Sequence, residues 1–144
     1  MAKKLYTAEA HVTGGRMKGH GKTASGNLEV EIRVPPELGG EEQGTNPEEL
    51  FAVGYAACFD SAITTVARRM KLEPGETAID SKVSLAAGED RSFVIETELD
   101  VTVPGLDDDE AVELVRAAHA VCPYSNATRG SMDVTLTANG QPVE

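Results

Sequence analysis

The chain has 144 residues with 13 basic and 24 acidic side chains, which give a formal net charge of −11 at pH 7. This length predicts a single domain over residues 1–144 with enough apolar material for a core. The excess of carboxylates repels phosphate backbones, so nucleic acid is excluded as a partner. No run of about 18 consecutive apolar residues and no signal-like apolar segment occurs, so we expect no membrane span and a cytoplasmic location.

The first third of the chain has the alternation of apolar and polar residues that is typical of half-buried strands. Three strands are predicted, in the order of a meander, at residues 6–12, 17–24 and 28–34. Gly14 and Gly15 signal a turn that leaves Arg16 at the entry of the second strand. Pro35 and Pro36 end the third strand because proline lacks the backbone N–H that a sheet requires.

A long helix is predicted to begin at Asn46. Asn is a favourable N-cap, proline at position 47 suits the first helical position, and Glu49 can complete a capping box. Helical periodicity continues to about Met70 and leaves most of the circumference apolar. Such a helix must be covered on most sides, and one small sheet covers only one of them. We therefore predict a homodimer with this helix at its centre.

The second half of the chain predicts a hairpin, a second helix and a final strand. The hairpin pairs residues 77–85 with 92–103, and the last strand covers residues 132–138. The second helix opens on four acidic residues, 107–110, which suit the positive end of a helix dipole. Strands and helices in this order indicate an α+β fold.

The two cysteines, Cys58 and Cys122, are 64 residues apart and form neither a metal-ligand spacing nor a Cys-x-x-Cys motif. Cys58 lies within the long apolar helix. Cys122 follows the apolar stripe of the second helix at Ala111, Leu114 and Ala118, so it leaves that helix on its buried side. Periodicity therefore allows the two thiols to meet but leaves a second interpretation open, in which both are inert core residues.

A reactive Cys58 needs a nearby cation, because a thiol in apolar surroundings has a raised pKa. Arg16 is the candidate, although an exposed turn arginine is the plainer interpretation. Glu48 precedes Cys58 by ten residues, which is about 15 Å along a straight helix. It can share a site with Cys58 only if the helix breaks, for instance near Gly54; otherwise it is a capping residue.

The remaining polar candidates are weaker. Asp60 points away from Cys58 on the helix, and His11 and His20 show no triad or metal-ligand spacing. His119, near the end of the second helix, is interpreted as a surface residue compatible with the helix dipole. No metal site and no bound cofactor are predicted.

Three segments resemble the organic hydroperoxide resistance proteins, a branch of the family shared with osmotically inducible protein C. They are residues 46–51 (Asn-Pro-Glu-Glu-Leu-Phe), 54–59 (Gly-Tyr-Ala-Ala-Cys-Phe) and 121–130 (Val-Cys-Pro-Tyr-Ser-Asn-Ala-Thr-Arg-Gly). The similarity extends over nearly the whole chain and includes the turn at residues 12–16. It implies an intertwined homodimer, with antiparallel sheets wrapped around two central helices and active sites at the subunit interface.

The same resemblance implies a thiol peroxidase for organic hydroperoxides, including those of fatty acids. Cys58 is then the peroxidatic cysteine and Cys122 the resolving cysteine. Arg16 and Glu48 form the polar pair beside them, which implies an interruption of the helix before Cys58. The external reductant is a dihydrolipoyl dithiol, supplied by dihydrolipoamide or a lipoylated protein.

The substrate walls are expected to be apolar and to favour alkyl peroxides over hydrogen peroxide. The residues expected to form them are Phe51, Tyr55, Phe59, Tyr124 and Met17. Two other functions stay open. One is a hydroperoxidase of the sister branch with another reductant or substrate range. The other is a non-enzymatic dimeric binding module in which the thiols only pack.

Overall fold

The computed structural model describes residues 2–41 and 43–144. These residues form two compact units, Met1–Leu50 and Phe51–Glu144, and the single domain expected from the length stays a prediction. In chain order the elements are β1 (Ala10–Thr13), β2 (Gly19–Thr23), β3 (Glu29–Ile32), a 3₁₀ turn (Pro36–Leu38), α1 (Pro47–Met70), β4 (Ala78–Ala87), β5 (Phe93–Thr102), α2 (Asp108–Val121), α3 (Pro123–Thr128), β6 (Val134–Ala138) and β7 (Gln141–Val143).

The first unit contains the predicted meander, an antiparallel sheet of order β1-β2-β3. The turn between β1 and β2 is longer than expected. Gly14 and Gly15 both have positive φ, and the Lys18 N–H donates to the Gly14 carbonyl at 3.3 Å. A Cβ at position 14 would lie 2.0 Å from the Lys18 carbonyl oxygen, so the turn requires glycine there. Arg16 therefore lies within the turn, and its placement at a strand entry was wrong.

The predicted start of α1 is confirmed. Asn46 is its N-cap, because its Oδ1 accepts the Glu49 N–H at 2.8 Å. The Glu49 carboxylate accepts the Thr45 hydroxyl at 2.7 Å. Asn46 and Glu49 thus cap the helix, which leaves the intervening Glu48 side chain available for another partner.

The helix α1 runs for 24 residues without a break, so the interruption expected before Cys58 is wrong. Gly54 costs a helix only about 1 kcal/mol relative to alanine, which packing readily offsets. Its role is to make room: a Cβ there would lie 3.2 Å from the Tyr124 hydroxyl. Gly54 therefore lets Tyr124 approach the helix one turn before Cys58.

One face of α1 packs into the core of the second unit, and the other face is uncovered. The buried residues are Tyr55, Phe59, Ala62, Ile63, Val66 and Ala67. The uncovered face includes Val53, which is 72% exposed, and the exposed residues Ala57, Ser61 and Thr64. By length and composition α1 is also apolar enough to cross a membrane. The central helix of a globular core passes the same test, so this property alone indicates little.

The second unit combines a four-stranded sheet of order β4-β5-β6-β7 with α2 and α3. The sequence predicted the β4–β5 hairpin and β6 but missed β7. The sheets are mostly antiparallel, as predicted, but β5 and β6 are parallel. A parallel pair needs a crossover connection, which α2 and α3 supply. The α+β fold is thus confirmed, and the homodimer stays a prediction.

Candidate active site

The fold brings the two cysteines together. Cys122 Sγ lies 3.7 Å from Cys58 Sγ, and both residues are free thiols. Cys122 is fully buried at the junction of α2 and α3, while Cys58 is partly exposed on α1. The sequence left open whether the two thiols meet or are separate core residues, and in the structure they meet.

The junction that holds Cys122 is built by helix ends. Its backbone N–H donates to the Ala118 carbonyl at the end of α2, and its carbonyl accepts the Asn126 N–H at the start of α3, both at 2.9 Å. Pro123 ends α2 because it has no N–H to continue the helix, and it suits the first position of α3. The backbone around Cys122 is therefore fixed on both sides.

The protein environment of Cys58 makes it a weak nucleophile on its own. Burial raises the pKa of the Cys58 thiol, and the adjacent Cys122 adds to the increase. The backbone N–H of Tyr124 donates to the sulfur and lowers the pKa, but burial is the largest effect. A thiol with this balance is protonated near neutral pH, which agrees with the sequence argument that Cys58 needs a cation.

A cleft of about 340 Å³ opens beside Cys58. It is lined by Cys58, Ser61, Ala62, Thr65, Arg69, Val121 and Pro123. None of the five residues expected as apolar walls lines it. Four of them form an aromatic cluster, in which the ring centroids of Phe51 and Tyr124 and of Tyr55 and Tyr124 are 5.7 Å apart. Met17 belongs to the first unit and is exposed.

The first unit holds the other two candidate residues as a bidentate ion pair. Arg16 donates to both carboxylate oxygens of Glu48, with Nη1–Oε2 at 2.9 Å and Nη2–Oε1 at 2.7 Å. The hydrogen bonds raise the pKa of Arg16 and lower the pKa of Glu48. The Glu48 side chain is only 15% exposed, whereas that of Arg16 is 44% exposed. Glu48 thus holds a guanidinium that keeps further N–H donors free for an anion.

A buried hydrogen-bonded group behind the cysteines was missed by the sequence reasoning. Ser125 Oγ lies 2.7 Å from Tyr55 Oη and 2.8 Å from His119 Nδ1. His119 is partly buried, so its interpretation as a surface residue was wrong. Burial and the neighbouring Arg129 lower the pKa of His119. The available signal was the spacing, because each member of this group is three residues from a cysteine.

The other polar candidates have separate roles. Asp60 Oδ1 accepts the Thr77 hydroxyl at 2.5 Å. His20 lies on the exposed surface of the first unit between the carboxylates of Glu29 and Glu31, which raise its pKa. Within residues 2–41 and 43–144, no cluster of three or more potential metal ligands is found.

Comparison with known proteins places the chain in a family. The model of the OsmC-like protein family matches residues 39–137. An organic hydroperoxide resistance protein of Xanthomonas axonopodis pv. citri (strain 306) is 52% identical over 137 residues, which cover 94% of this chain and 95% of that protein. The chain belongs to the organic hydroperoxide resistance branch of the OsmC-like family.

Solved structures of this family share the fold. An organic hydroperoxide resistance protein from Legionella pneumophila is 48% identical with a TM-score of 0.89, and the match covers 93% of this chain and 97% of that one. A putative organic hydroperoxide resistance protein from Vibrio cholerae, with captopril bound in one active site, is 40% identical with a TM-score of 0.93; the match covers 98% and 96% of the two chains.

Proposed function

We propose that the protein is a two-cysteine peroxidase that reduces organic hydroperoxides to alcohols in the cytoplasm, as a defence against oxidative stress. The observation that carries the proposal is the 3.7 Å separation of the Cys58 and Cys122 sulfurs. The names of relatives at 40–52% identity supply the substrate class.

The reaction needs two thiols and no bound cofactor. The Cys58 thiolate attacks the terminal oxygen of the hydroperoxide, the O–O bond breaks and the sulfur becomes a sulfenic acid. The alkoxide takes up the proton that the Cys58 thiol released and leaves as an alcohol. The Cys122 thiol then attacks this sulfur, the S–O bond breaks, an S–S bond forms and water leaves. An external dihydrolipoyl dithiol, free or on a lipoylated protein, reduces the disulfide by exchange and becomes a disulfide itself.

Arg16 is proposed to supply the positive charge that keeps Cys58 ionised. Its contact with Glu48 fixes the guanidinium plane, and its exposed N–H donors are available to a thiolate or a peroxide oxygen. Because α1 is unbroken, Glu48 precedes Cys58 by about 15 Å of helix rise. This spacing supports an active site in which the Arg16–Glu48 pair of one copy faces the cysteines of a second copy.

Uncovered apolar residues support the homodimer that such a site requires. In the first unit, Leu5 and Tyr6 are 91% and 83% exposed. In the second unit, the uncovered face of α1 carries Val53 and the small residues Ala57 and Ser61. Exposed apolar surface of this kind is typical of interaction sites, and small residues allow close approach of a second helix.

Steady-state turnover of cumene hydroperoxide with dihydrolipoamide, compared with thioredoxin and with glutathione, tests this function. We expect turnover with dihydrolipoamide and none in Cys58→Ser, because a serine hydroxyl does not ionise near neutral pH. Cys58→Ser nearly keeps the size of the side chain, so a loss of turnover reports on the missing thiol. Turnover that persists in this variant contradicts the mechanism, and a wild type that loses no thiols with peroxide indicates the binding module.

A peroxide series separates this branch from its sister. Burial of about 60 Å² more apolar surface by cumene hydroperoxide than by hydrogen peroxide gives roughly a tenfold gain in kcat/KM, at about 25 cal/mol per Å². The series adds tert-butyl hydroperoxide and a fatty-acid hydroperoxide as intermediate and long substrates. Equal efficiency for all four would reject selective binding of the organic group.

A further inference from the structure

Three polar residues lie one helical turn from the two cysteines; Tyr55 and Ser125 are fully buried, and His119 is partly buried. Tyr55 precedes Cys58 by three residues on α1, His119 precedes Cys122 by three residues on α2, and Ser125 follows Cys122 by three residues on α3. The Ser125 hydroxyl contacts both of the others, at 2.7 Å from Tyr55 Oη and 2.8 Å from His119 Nδ1. A single hydroxyl thus joins all three helices that position the thiols.

Only one order of donors and acceptors in this group lets both the Tyr55 and the Ser125 hydroxyl donate a hydrogen bond within it. The lowered pKa of His119 leaves its ring neutral at pH 7, so Nδ1 can accept a hydrogen bond. Ser125 then donates to His119 Nδ1, and Tyr55 donates to Ser125 Oγ. Both Tyr55 and Ser125 are fully buried, so water cannot replace a lost partner. Arg129 makes a second contact with α2, because its Nη2 donates to the His119 carbonyl at 2.7 Å.

Ser125 is also close in sequence to two residues that interact with the Cys58 sulfur. Cys122 supplies its thiol, and Tyr124 supplies the backbone N–H that donates to Cys58. Both residues are within three positions of Ser125. Any shift of α3 that follows the loss of the Ser125 hydrogen bonds therefore moves the resolving sulfur relative to Cys58.

We propose that Tyr55, Ser125 and His119 are positioning residues for the resolving step, holding Cys122 at the distance from which it attacks the Cys58 sulfenic acid. The proposal rests on the proposed peroxidase function. The sulfurs must close from 3.7 Å to about 2.05 Å in the disulfide. An approach this short is sensitive to misplacement, since an error of about 1 Å in a reacting group can cost a hundredfold in rate.

The consequence of misplacement is a change in which product forms. The sulfur of a sulfenic acid that waits longer for Cys122 can attack the terminal oxygen of a second hydroperoxide. The O–O bond then breaks, a sulfinic acid forms and an alcohol leaves. The first step uses the Cys58 thiolate, with Arg16 as its proposed cation, and does not use the Cys122 sulfur. Loss of the positioning group should therefore raise the ratio of sulfinic acid to disulfide without an equal loss in the rate of the first step.

The test compares Tyr55→Phe and Ser125→Ala with wild type in single turnover. Peroxide consumption gives the first step, and intact-protein mass after alkylation gives the ratio of sulfinic acid to disulfide as cumene hydroperoxide is increased. We expect this ratio to rise about tenfold in both variants. Thr137→Val is the matched control, because it removes one partly buried hydroxyl, bonded to Asp100 at 2.8 Å in the sheet.

Two variants at His119 provide a rescue. Asn places a hydrogen-bonding atom near the position of Nδ1, whereas Leu removes it, so His119→Asn should keep a low ratio and His119→Leu should raise it. A ratio in Tyr55→Phe and Ser125→Ala equal to that in Thr137→Val overturns the proposal. So does a first step that slows as much as the second. If wild type itself loses no thiols with peroxide, the peroxidase function has failed instead.

Discussion

At the scale of single residues, the proposed chemistry depends on a thiol whose own surroundings disfavour ionisation. Burial raises the pKa of Cys58, and one backbone N–H, from Tyr124, opposes this effect. The proposed function assigns the remaining stabilisation of the thiolate to Arg16. The bidentate contact with Glu48 orients the guanidinium, at the cost of partly offsetting its charge. The pair is thus expected to act through geometry as well as through charge.

Replacement of Arg16 tests whether this residue stabilises the Cys58 thiolate. The cation favours the thiolate, so Arg16→Ala should raise the pKa of Cys58 relative to wild type. The pH dependence of Cys58 alkylation then shifts upward, and the peroxide step slows at neutral pH. Arg16→Lys keeps the charge but loses the planar guanidinium that contacts both oxygens of Glu48. Its alkylation midpoint should therefore lie between those of wild type and Arg16→Ala. An alkylation midpoint that is the same in all three proteins would remove Arg16 from the site.

At the scale of elements, α1 connects the candidate residues by its continuity and by its cap. Asn46 Oδ1 accepts the Glu49 N–H and the Glu49 carboxylate accepts the Thr45 hydroxyl, which leaves the Glu48 carboxylate to Arg16. The cap therefore stabilises the helix and also sets where the carboxylate of Glu48 lies.

Asn46→Ala should lower the free energy of unfolding by about 1 kcal/mol, because the Glu49 N–H loses its acceptor. Asn46→Asp keeps a side-chain oxygen that can accept this hydrogen bond and should be close to wild type. Urea unfolding of the three proteins measures the difference through the midpoint at constant slope. Equal destabilisation by Ala and Asp would show that the cap contributes through something other than this hydrogen bond.

The local signals explain how much of the fold could be predicted. The Asn46-Pro47 cap and the stripe that ends at Cys122 depend on near neighbours in sequence, and both predictions were correct in position. The break expected near Gly54 was wrong, because glycine permits a bend without requiring one, and here it accommodates Tyr124. The parallel pairing of β5 with β6 and the contact of Ser125 with Tyr55 join distant segments. Periodicity carries no information on such pairings.

At the scale of the whole molecule, the proposed active site requires two copies of the chain. The 15 Å or so of helix between Glu48 and Cys58 separates the ion pair from the thiols along α1, and a second copy is proposed to bring them together. The uncovered face of α1 and the exposed apolar residues near the N-terminus are the surfaces that such a copy would cover.

Complementation between two inactive variants tests this arrangement. Arg16→Ala and Cys58→Ser are each expected to be inactive or strongly impaired as homodimers. In a mixed dimer, the intact Cys58 of one copy faces the intact Arg16 of the other, so co-expression should restore hydroperoxide reduction. The control mixes Cys58→Ser with a double variant that carries both Arg16→Ala and Cys58→Ser on one chain. This mixture contains no intact Cys58, so it should restore nothing. If the site formed within one chain, the first mixture would also stay inactive.

Peptide mapping without reductant, after one equivalent of cumene hydroperoxide, is the most direct test of the proposed disulfide between Cys58 and Cys122. We expect the protein to lose two hydrogen atoms and the peptides of Cys58 and Cys122 to become joined by a disulfide. Cys122→Ser, treated in the same way, should instead carry added oxygen on Cys58. If both cysteines of the wild type remain open to alkylation after the peroxide treatment, the two-cysteine mechanism is wrong.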